Sequence, residues 1–263
     1  MIPLFLRTNL YVGTTPPGPP EINDAILFSL RGQSNAQGRA SVNDITEQEK
    51  KPLSDVYAYY GGGIVNKYIP GSLPGNPGQF GVEWKLSILL RDYYNKPVII
   101  DKTAYGGTGL HEDFLQWNVI HPDKLWAASK VNLNNVIKYS KPLFLNAQNK
   151  FGIWFQGEAD AGVQTYAETY EVNQIALFED WRSHVDNQSY KIVDIKTNSA
   201  YGTFANTVRT AKQNIANVDS NVIIFDADNY PTNSGDIVHV SKEGFELLAQ
   251  DIFDQIVALN IIQ

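Results

Sequence analysis

Three residue types that together perform acyl transfer occur in this chain: a serine in a glycine turn, a histidine and an aspartate. Ser34 lies in the segment GQSN, directly after a short apolar run. A serine hydroxyl is a weak nucleophile until a base takes its proton. Asp236 precedes His239 by three residues, a spacing that lets a carboxylate hold an imidazole whose other nitrogen faces a serine. Each residue also has a structural alternative, because serines in such turns cap helices and D-x-x-H pairs occur on surface loops.

The chain has four histidines, and the other three are weaker candidates for the base. His184 is predicted at an exposed helix end, and His121 precedes a proline in a loop. His111 follows a glycine turn, where it could line a cleft and touch substrate. His239 is therefore the predicted partner of Ser34.

An acyl-transfer site must also hold an oxyanion, and two further glycine turns supply donors for it. Backbone N–H groups at Ser34 and at Gly106 or Gly107 are predicted to point inwards, since turns after strands leave amides unpaired. Gln156, in the turn WFQGEAD, adds a side-chain amide. Such donors contribute ~3–4 kcal/mol each where they meet developing charge. The alternative for Gly106, Gly107 and Gly157 is simple turn geometry, so the prediction depends on their joint placement.

These turns follow strands of a regular α/β pattern. Apolar runs without polar alternation predict buried parallel strands, and the stretches between them have helical spacing. The pattern predicts a three-layer α/β/α sandwich with a central, mostly parallel five-stranded sheet, whose active site lies at the carboxyl ends of the strands. Residues 41–80 are predicted to be mostly loop with one strand near 56–60. The five strands are predicted within 25–30, 96–107, 151–158, 190–197 and 221–228, and the helices at 82–94, 125–139, 166–185, 207–218 and 242–259.

The composition excludes several other classes of protein. The 263 residues include 28 acidic and 21 basic side chains, a net charge of −7 without a basic run, which argues against nucleic-acid binding. The absence of cysteine excludes disulfides, cysteine nucleophiles and thiolate metal sites. No apolar stretch approaches the ~20 residues of a membrane helix, and the N-terminus lacks the pattern of a signal peptide. A soluble protein is expected.

Residues 1–24 are predicted to form an N-terminal arm or Pro-rich linker ahead of one domain at 25–263, a length that suits a single α/β domain. Its segment TTPPGPP is stiff, extended and unable to join a sheet. The arm either attaches the domain to a larger assembly or packs along its surface. An extracellular, envelope or virion location stays open, as does the oligomeric state.

Four ordered blocks resemble those of SGNH hydrolases: GQSN at 32–35, GGT at 106–108, WFQGEAD at 154–160 and DIVH at 236–239. More narrowly, they are similar to the branch that contains sialate O-acetylesterases and the acetylxylan esterases of carbohydrate esterase family six. The resemblance extends from about residue 25 to about residue 258. It implies a flavodoxin-like fold and the removal of O-acetyl groups from sugars without a metal or organic cofactor.

The resemblance also implies a role for each matching residue. Ser34 would be the nucleophile, His239 the general base and then acid, and Asp236 the carboxylate that orients it. The oxyanion hole would consist of the Ser34 N–H, the Gly107 N–H and the Gln156 side chain. Candidate substrate contacts are Gln33, Asn35, Thr108, His111 and Glu158.

Other positions either belong to the family's segments or depart from the family's pattern. Glu158 and Asp160 are implied to brace the Gln156 turn or to contact substrate. Gln37 stands where many relatives have a large apolar residue, which bears on the substrate pocket, and Gly109 and Leu110 extend the GGT turn. Aromatic residues that could line the cleft are Trp117, Trp126 and Tyr105.

Two alternatives to a carbohydrate esterase remain. A binding or structural module on the same scaffold, tethered by residues 1–24, is disfavoured because a pure binder has no use for an intact Ser34, Asp236 and His239. A lipase or thioesterase is less favoured because the turns near the blocks are rich in Gly, Asn, Tyr and Trp, which suit sugars.

Overall fold

The computed structural model of the protein describes residues 24–63, 65–73, 76–115 and 124–263, so the arm predicted at residues 1–24 lies outside it except for Asp24. The helices of the described residues are α1 (Ser34–Gln37), α2 (Val82–Tyr94), α3 (Leu125–Ser140), α4 (Gln164–His184), α5 (Ala205–Val218) and α6 (Lys242–Ala258). The strands are β1 (Asp24–Gly32), β2 (Ala40–Ser41), β3 (Val56–Tyr59), β4 (Val65–Lys67), β5 (Gln79–Phe80), β6 (Val98–Ala104), β7 (Asn146–Phe155), β8 (Lys191–Lys196) and β9 (Val222–Asp226).

The central sheet has the order β4-β3-β6-β1-β7-β8-β9. All neighbouring strands pair in parallel except β4, which is antiparallel to β3. The chain adds β6 on one side of β1 and then crosses to add β7 on the other side. The carboxyl end of β1 therefore lies at a topological switch point, the place where open α/β sheets bind ligands.

The sandwich architecture and the mostly parallel sheet are confirmed, but the prediction of five strands is wrong because the sheet has seven. The strand expected near residues 56–60 is β3, and it extends the sheet beyond β6. Gly61, Gly62 and Gly63 all have positive φ and turn the chain back into β4. This three-residue edge strand, VNK, is largely exposed and has no apolar run for sequence reasoning to detect.

The apolar strands of the sheet are buried on both faces. In β1, Ile26, Phe28 and Leu30 point to the core that includes α2 and α6. Ala25 and Leu27 point to the opposite face, where they pack with residues of α3. This double burial explains why the strand reads as a continuous apolar run rather than an alternating one, and each large side chain buried this way contributes about 1.5–3 kcal/mol.

The long helices lie where the sequence predicts them, within a few residues at each end. A small second sheet pairs β2 with β5 and joins the segment after α1 to the segment before α2. Among the described residues, no helix combines the length and the apolar character that crossing a bilayer requires.

Candidate active site

The turn that carries Ser34 begins at a glycine whose place leaves no room for a side chain. Gly32 ends β1 with φ +140°, and a β-carbon there would overlap the carbonyl oxygen of Phe155 on β7. The chain leaves the sheet at this point, and Ser34 opens the short helix α1. Ser34 is only 5% exposed. The turn thus presents its hydroxyl at the carboxyl edge of the sheet, at the switch point between β6 and β7.

Three side chains that are distant in sequence form one hydrogen-bonded line. His239 Nε2 lies 2.9 Å from Ser34 Oγ, and His239 Nδ1 lies 2.6 Å from Asp236 Oδ2. The other Asp236 oxygen accepts the backbone N–H groups of Val238 and His239 at 2.8 and 3.1 Å. Although partial burial opposes the effect, these hydrogen bonds lower the pKa of Asp236 below its ordinary value. An ionised carboxylate therefore holds one side of the imidazole and the serine hydroxyl the other, as a serine triad requires.

Asn35 ties this serine turn to the histidine loop. Its Nδ2 donates to Glu158 Oε1 and to the carbonyl of Val238, both at 3.0 Å, and its Oδ1 accepts the N–H of Val240 at 3.0 Å. Asn35 and Glu158 are both buried, and burial raises the pKa of Glu158. Their burial argues against the substrate contacts predicted for both residues and favours a bracing role.

The Gln156 turn is also held from inside the protein. Gln156 is fully buried, and its Nε2 donates to the Thr108 carbonyl at 3.0 Å and to Asp160 Oδ2 at 2.6 Å. Its Oε1 accepts the hydroxyl of Tyr170 at 2.9 Å. Gln33, a predicted substrate contact, is buried with its Oε1 3.3 Å from the same Nε2. Both amide hydrogens of Gln156 therefore face acceptors within the protein. To donate to an oxyanion, the amide must give up one of these acceptors, so this role of Gln156 stays a prediction.

Asp160 joins the Gln156 turn to the glycine turn after β6. Its carboxylate accepts the backbone N–H groups of Leu110 and His111 at 2.8 and 3.0 Å, in addition to Gln156. Burial raises the pKa of Asp160, although these hydrogen bonds oppose the rise. The His111 ring stacks on Tyr166 of α4 with centroids 4.4 Å apart. Asp160 therefore joins the two turns from inside the protein. These contacts support bracing of the Gln156 turn, which is one of the two roles that the resemblance implies for this residue.

Of the two predicted backbone donors after β6, only one is left available. The Gly106 N–H donates to Gln37 Oε1 at 3.2 Å. Gly107 is exposed with φ +76°, and its N–H meets no acceptor in the described part of the chain. Gln37 Oε1 also accepts Nη2 of Arg39 at 3.1 Å. Sequence reasoning assigned no role to Arg39, and the only signal for Gln37 was its departure from the apolar residue of many relatives.

Of the three aromatic residues predicted near the cleft, one lies in the core, one lies at the surface and one lies outside the described residues. Trp126 is buried and packs edge-on against Trp181. Tyr105 is about half exposed beside the glycine turn. Thr108, the remaining predicted contact, is half-buried and donates its hydroxyl to the Tyr105 carbonyl at 2.8 Å. Trp117 and His121 lie outside the described residues.

The parallel sheet, the serine at its switch point and the Ser–His–Asp line define an SGNH-type hydrolase. The sequence profile of the family described as carbohydrate esterase, sialic acid-specific acetylesterase, matches residues 79–258. This span exceeds half of the chain, so the protein belongs to that family and is a carboxylic ester hydrolase. The matched span contains Gly107, Gln156, Asp236 and His239, whereas Ser34 precedes it, so Ser34 is connected to the site by the structure.

Several solved structures share this fold. A protein from Arabidopsis thaliana is 20% identical, with a TM-score of 0.73, over 91% of this chain and 99% of its own. NanS is 14% identical, with a TM-score of 0.65, over 91% and 98% of the two chains. A carbohydrate acetylesterase from Xanthomonas citri is 16% identical, with a TM-score of 0.60, over 90% of this chain and 57% of its own. At these identities the likeness establishes the fold. A sequence search of curated proteins gives no significant match.

Proposed function

We propose that the protein removes O-acetyl groups from carbohydrates through an acyl-enzyme formed on Ser34. The observation that carries the proposal is the line from Ser34 Oγ to His239 Nε2 at 2.9 Å and on to Asp236 at 2.6 Å. Two findings support the choice of substrate: the family description names acetylesterases, and the Xanthomonas citri neighbour is named a carbohydrate acetylesterase.

In the first half of the reaction, Ser34 Oγ attacks the acetyl carbonyl carbon while His239 Nε2 takes the hydroxyl proton. The lone pair displaced onto the carbonyl oxygen gives an oxyanion, for which the N–H groups of Ser34 and Gly107 are the donors at hand. The Gln156 amide is the proposed third donor, in exchange for one of its present acceptors. The carbonyl then re-forms, and the sugar oxygen leaves with the proton from His239.

In the second half, water replaces the sugar. His239 takes a proton from this water as its oxygen attacks the acetyl carbon on Ser34. Collapse of the second tetrahedral intermediate breaks the bond to Ser34 Oγ, which recovers the proton from His239, and acetate is released. Asp236 keeps its charge throughout and stabilises the imidazolium that forms in each half.

The test is acetate release from a panel of acetylated glycans by the parent protein and by Ser34→Ala. We expect the substitution to lower kcat by ~10³-fold or more, because the members of such a triad act as a unit. Ser189→Ala, at an exposed serine far from β1 in sequence, is the matched control. A Ser34→Ala protein with parental rates, or a parent whose Ser34 is not labelled by a fluorophosphonate, would refute the proposal.

A further inference from the structure

The side-chain amide of Gln156 lies between the turns that carry the two backbone groups proposed as oxyanion donors. Its Nε2 is 3.0 Å from the carbonyl oxygen of Thr108, the residue after Gly107, and 3.3 Å from Oε1 of Gln33, the residue before Ser34. A carbonyl oxygen only accepts hydrogen bonds, so the amide atom that faces Thr108 is the nitrogen. The nitrogen end of the Gln156 amide is therefore directed to the turns of Ser34 and Gly107.

The oxygen end of this amide is held by Tyr170 of α4. The Tyr170 hydroxyl donates to Gln156 Oε1 at 2.9 Å and lies 3.0 Å from the Gln156 backbone carbonyl. The hydroxyl oxygen in turn accepts the indole N–H of Trp154 at 3.3 Å, so its single hydrogen is directed to Gln156. Burial and the charge of Asp194 raise the pKa of Tyr170 well above its ordinary value. The hydroxyl therefore keeps its proton and stays a donor at neutral pH.

We propose that Tyr170 is a positioning residue, which holds the Gln156 amide in the orientation that donates to the oxyanion. The inference rests on the proposed function, in which Gln156 is the third oxyanion donor, and deepens it by naming the residue on which that donor depends. Tyr170 is fully buried and acts through Gln156, without touching the substrate or the reacting atoms.

The exchange of acceptors during the reaction makes this contact necessary. At rest the amide is fixed at both ends, by Tyr170 at its oxygen and by Thr108 and Asp160 at its nitrogen. The nitrogen must leave one of its acceptors in order to donate to the oxyanion. The bond from Tyr170 is not part of this exchange, so the oxygen end stays fixed while the nitrogen end changes partners. An amide that turned over would present its oxygen to the oxyanion and repel it.

The same hydrogen bond makes Gln156 a stronger donor. A hydrogen bond accepted by an amide oxygen polarises the amide and strengthens the bonds that its N–H groups donate. Donors aimed at developing negative charge stabilise the transition state more than the bound ester. Loss of the Tyr170 hydroxyl is therefore expected to lower kcat and to leave KM nearly unchanged.

The Tyr170 ring is itself fixed by a buried ion pair. Lys212 of α5 places its Nζ 5.5 Å from the centroid of the ring, at a distance where a cation is attracted to an aromatic face. The same Nζ lies 2.5 Å from Oδ1 of Asp194 on β8, and both side chains are fully buried. The other oxygen of Asp194 accepts from Gln174 of α4. Tyr170 is thus held between α4, α5 and β8, so its place does not depend on a bound substrate.

The test is a double-mutant cycle on kcat with 4-nitrophenyl acetate. Tyr170→Phe removes the hydroxyl and keeps the ring. Gln156→Met removes both polar ends of the amide and keeps the length of the side chain. Tyr190→Phe is the matched control, because Tyr190 is also fully buried and its hydroxyl donates to Asn149 Oδ1 at 3.0 Å. Tyr190 precedes the first residue of β8 and so lies at the amino edge of the sheet, opposite the site.

We expect Tyr170→Phe to lower kcat about tenfold with KM within about twofold of the parental value, and Tyr190→Phe to keep the parental kcat. Gln156→Met should lower kcat by about 10²-fold or more. In the Gln156→Met background, Tyr170→Phe should change kcat by less than about twofold, because the donor that it positions is gone. The same tenfold loss in both backgrounds would show that Tyr170 does not act through Gln156. Parental kcat for Tyr170→Phe would also overturn the proposal.

Hydrogen exchange of the Gln156 side-chain amide, followed by NMR, tests the positioning without any chemistry. Tyr170→Phe should raise the exchange rate of its two hydrogens by about tenfold or more, and Tyr190→Phe should leave the parental rate. Faster exchange in Tyr170→Phe, beside a Ser34→Ala protein of parental activity, would refute the esterase and uphold the positioning of the amide. Hydrolysis that depends on Ser34, with parental exchange and parental kcat in Tyr170→Phe, would refute the positioning and leave the esterase intact.

Discussion

The side-chain oxygen of Gln37 accepts the backbone N–H of Gly106 at 3.2 Å, which ties the helix that Ser34 opens to the turn that carries Gly107. The same oxygen accepts from Arg39 at 3.1 Å, and Gln37 is buried. A displacement of ~1 Å at a reacting group can cost about 10²-fold in rate. We therefore expect this bond to set the distance between the proposed nucleophile and the proposed oxyanion donor.

Replacement of Gln37 should reveal this positioning. We expect Gln37→Leu, which keeps the bulk and removes the acceptor, to lower kcat on 4-nitrophenyl acetate about tenfold, with a smaller change in KM. Gln37→Glu retains an oxygen at the same place and should recover most of kcat. Steady-state kinetics of the two variants decide the matter, and equal kcat for Gln37→Leu and the parent would show that the turn keeps its position without the bond.

The carboxylate behind His239 should matter through its charge and hydrogen bond. Asp236→Asn keeps the shape but cannot hold the same imidazole tautomer, so we expect kcat to fall by about 10²–10⁴-fold. Asp254→Asn removes the same charge at an exposed position of α6 and serves as the control. If both variants lost activity equally, net charge rather than the Asp236–His239 contact would be responsible.

Glu158 makes stability depend on pH. Burial raises the pKa of this carboxyl, so the folded state holds its proton more tightly than the unfolded state, whose value is near 4.3. The resulting stabilisation is present below the unfolded pKa and is lost as the pH rises through the folded pKa. Relative to Glu158→Gln, the free energy of unfolding of the parent should therefore decline as the pH rises from about 4.

Urea unfolding of the two proteins between about pH 4 and pH 8 measures this difference. Glu179→Gln, at an exposed glutamate of α4, is the control and should show no such trend. A parent that gains stability over Glu158→Gln as the pH rises would mean that the Glu158 charge is favourable where it is buried.

Two glycines of the site should respond differently to alanine. A β-carbon at Gly32 would overlap backbone atoms of Phe155, so Gly32→Ala should cost several kcal/mol and prevent stable folding. At Gly107 nothing lies within 4 Å of a built β-carbon, and only the positive φ opposes alanine. Gly107→Ala should therefore fold with a loss of about 1–2 kcal/mol. Thermal and urea unfolding compare the two, and equal losses would contradict the distinction.

The sequence by itself determined the class of the fold and the three members of the hydrogen-bonded line of Ser34, His239 and Asp236. Buried strands such as β1 are apolar on both faces, so they appear as continuous runs that local pattern detects. The segments GQSN and DIVH each form a local turn, at Gly32 and between Asp236 and His239. The residues that make such a turn are neighbours in the sequence, so a single segment is enough to predict it. Ser34, Asp236 and His239 could be named together because strand ends meet at one edge of a parallel sheet.

Only the tertiary structure decided what lies between those segments. The edge strand β4 depends on pairing with β3 rather than on its own residues. The burial of Asn35 and Glu158, which join across 123 positions of sequence, depends on how the turns of β1 and β7 pack. Gln37 meets Gly106, and Lys102 meets Glu83, only because β6 lies beside β1 and below α2. Such contacts depend on strand order and register, which no local segment encodes.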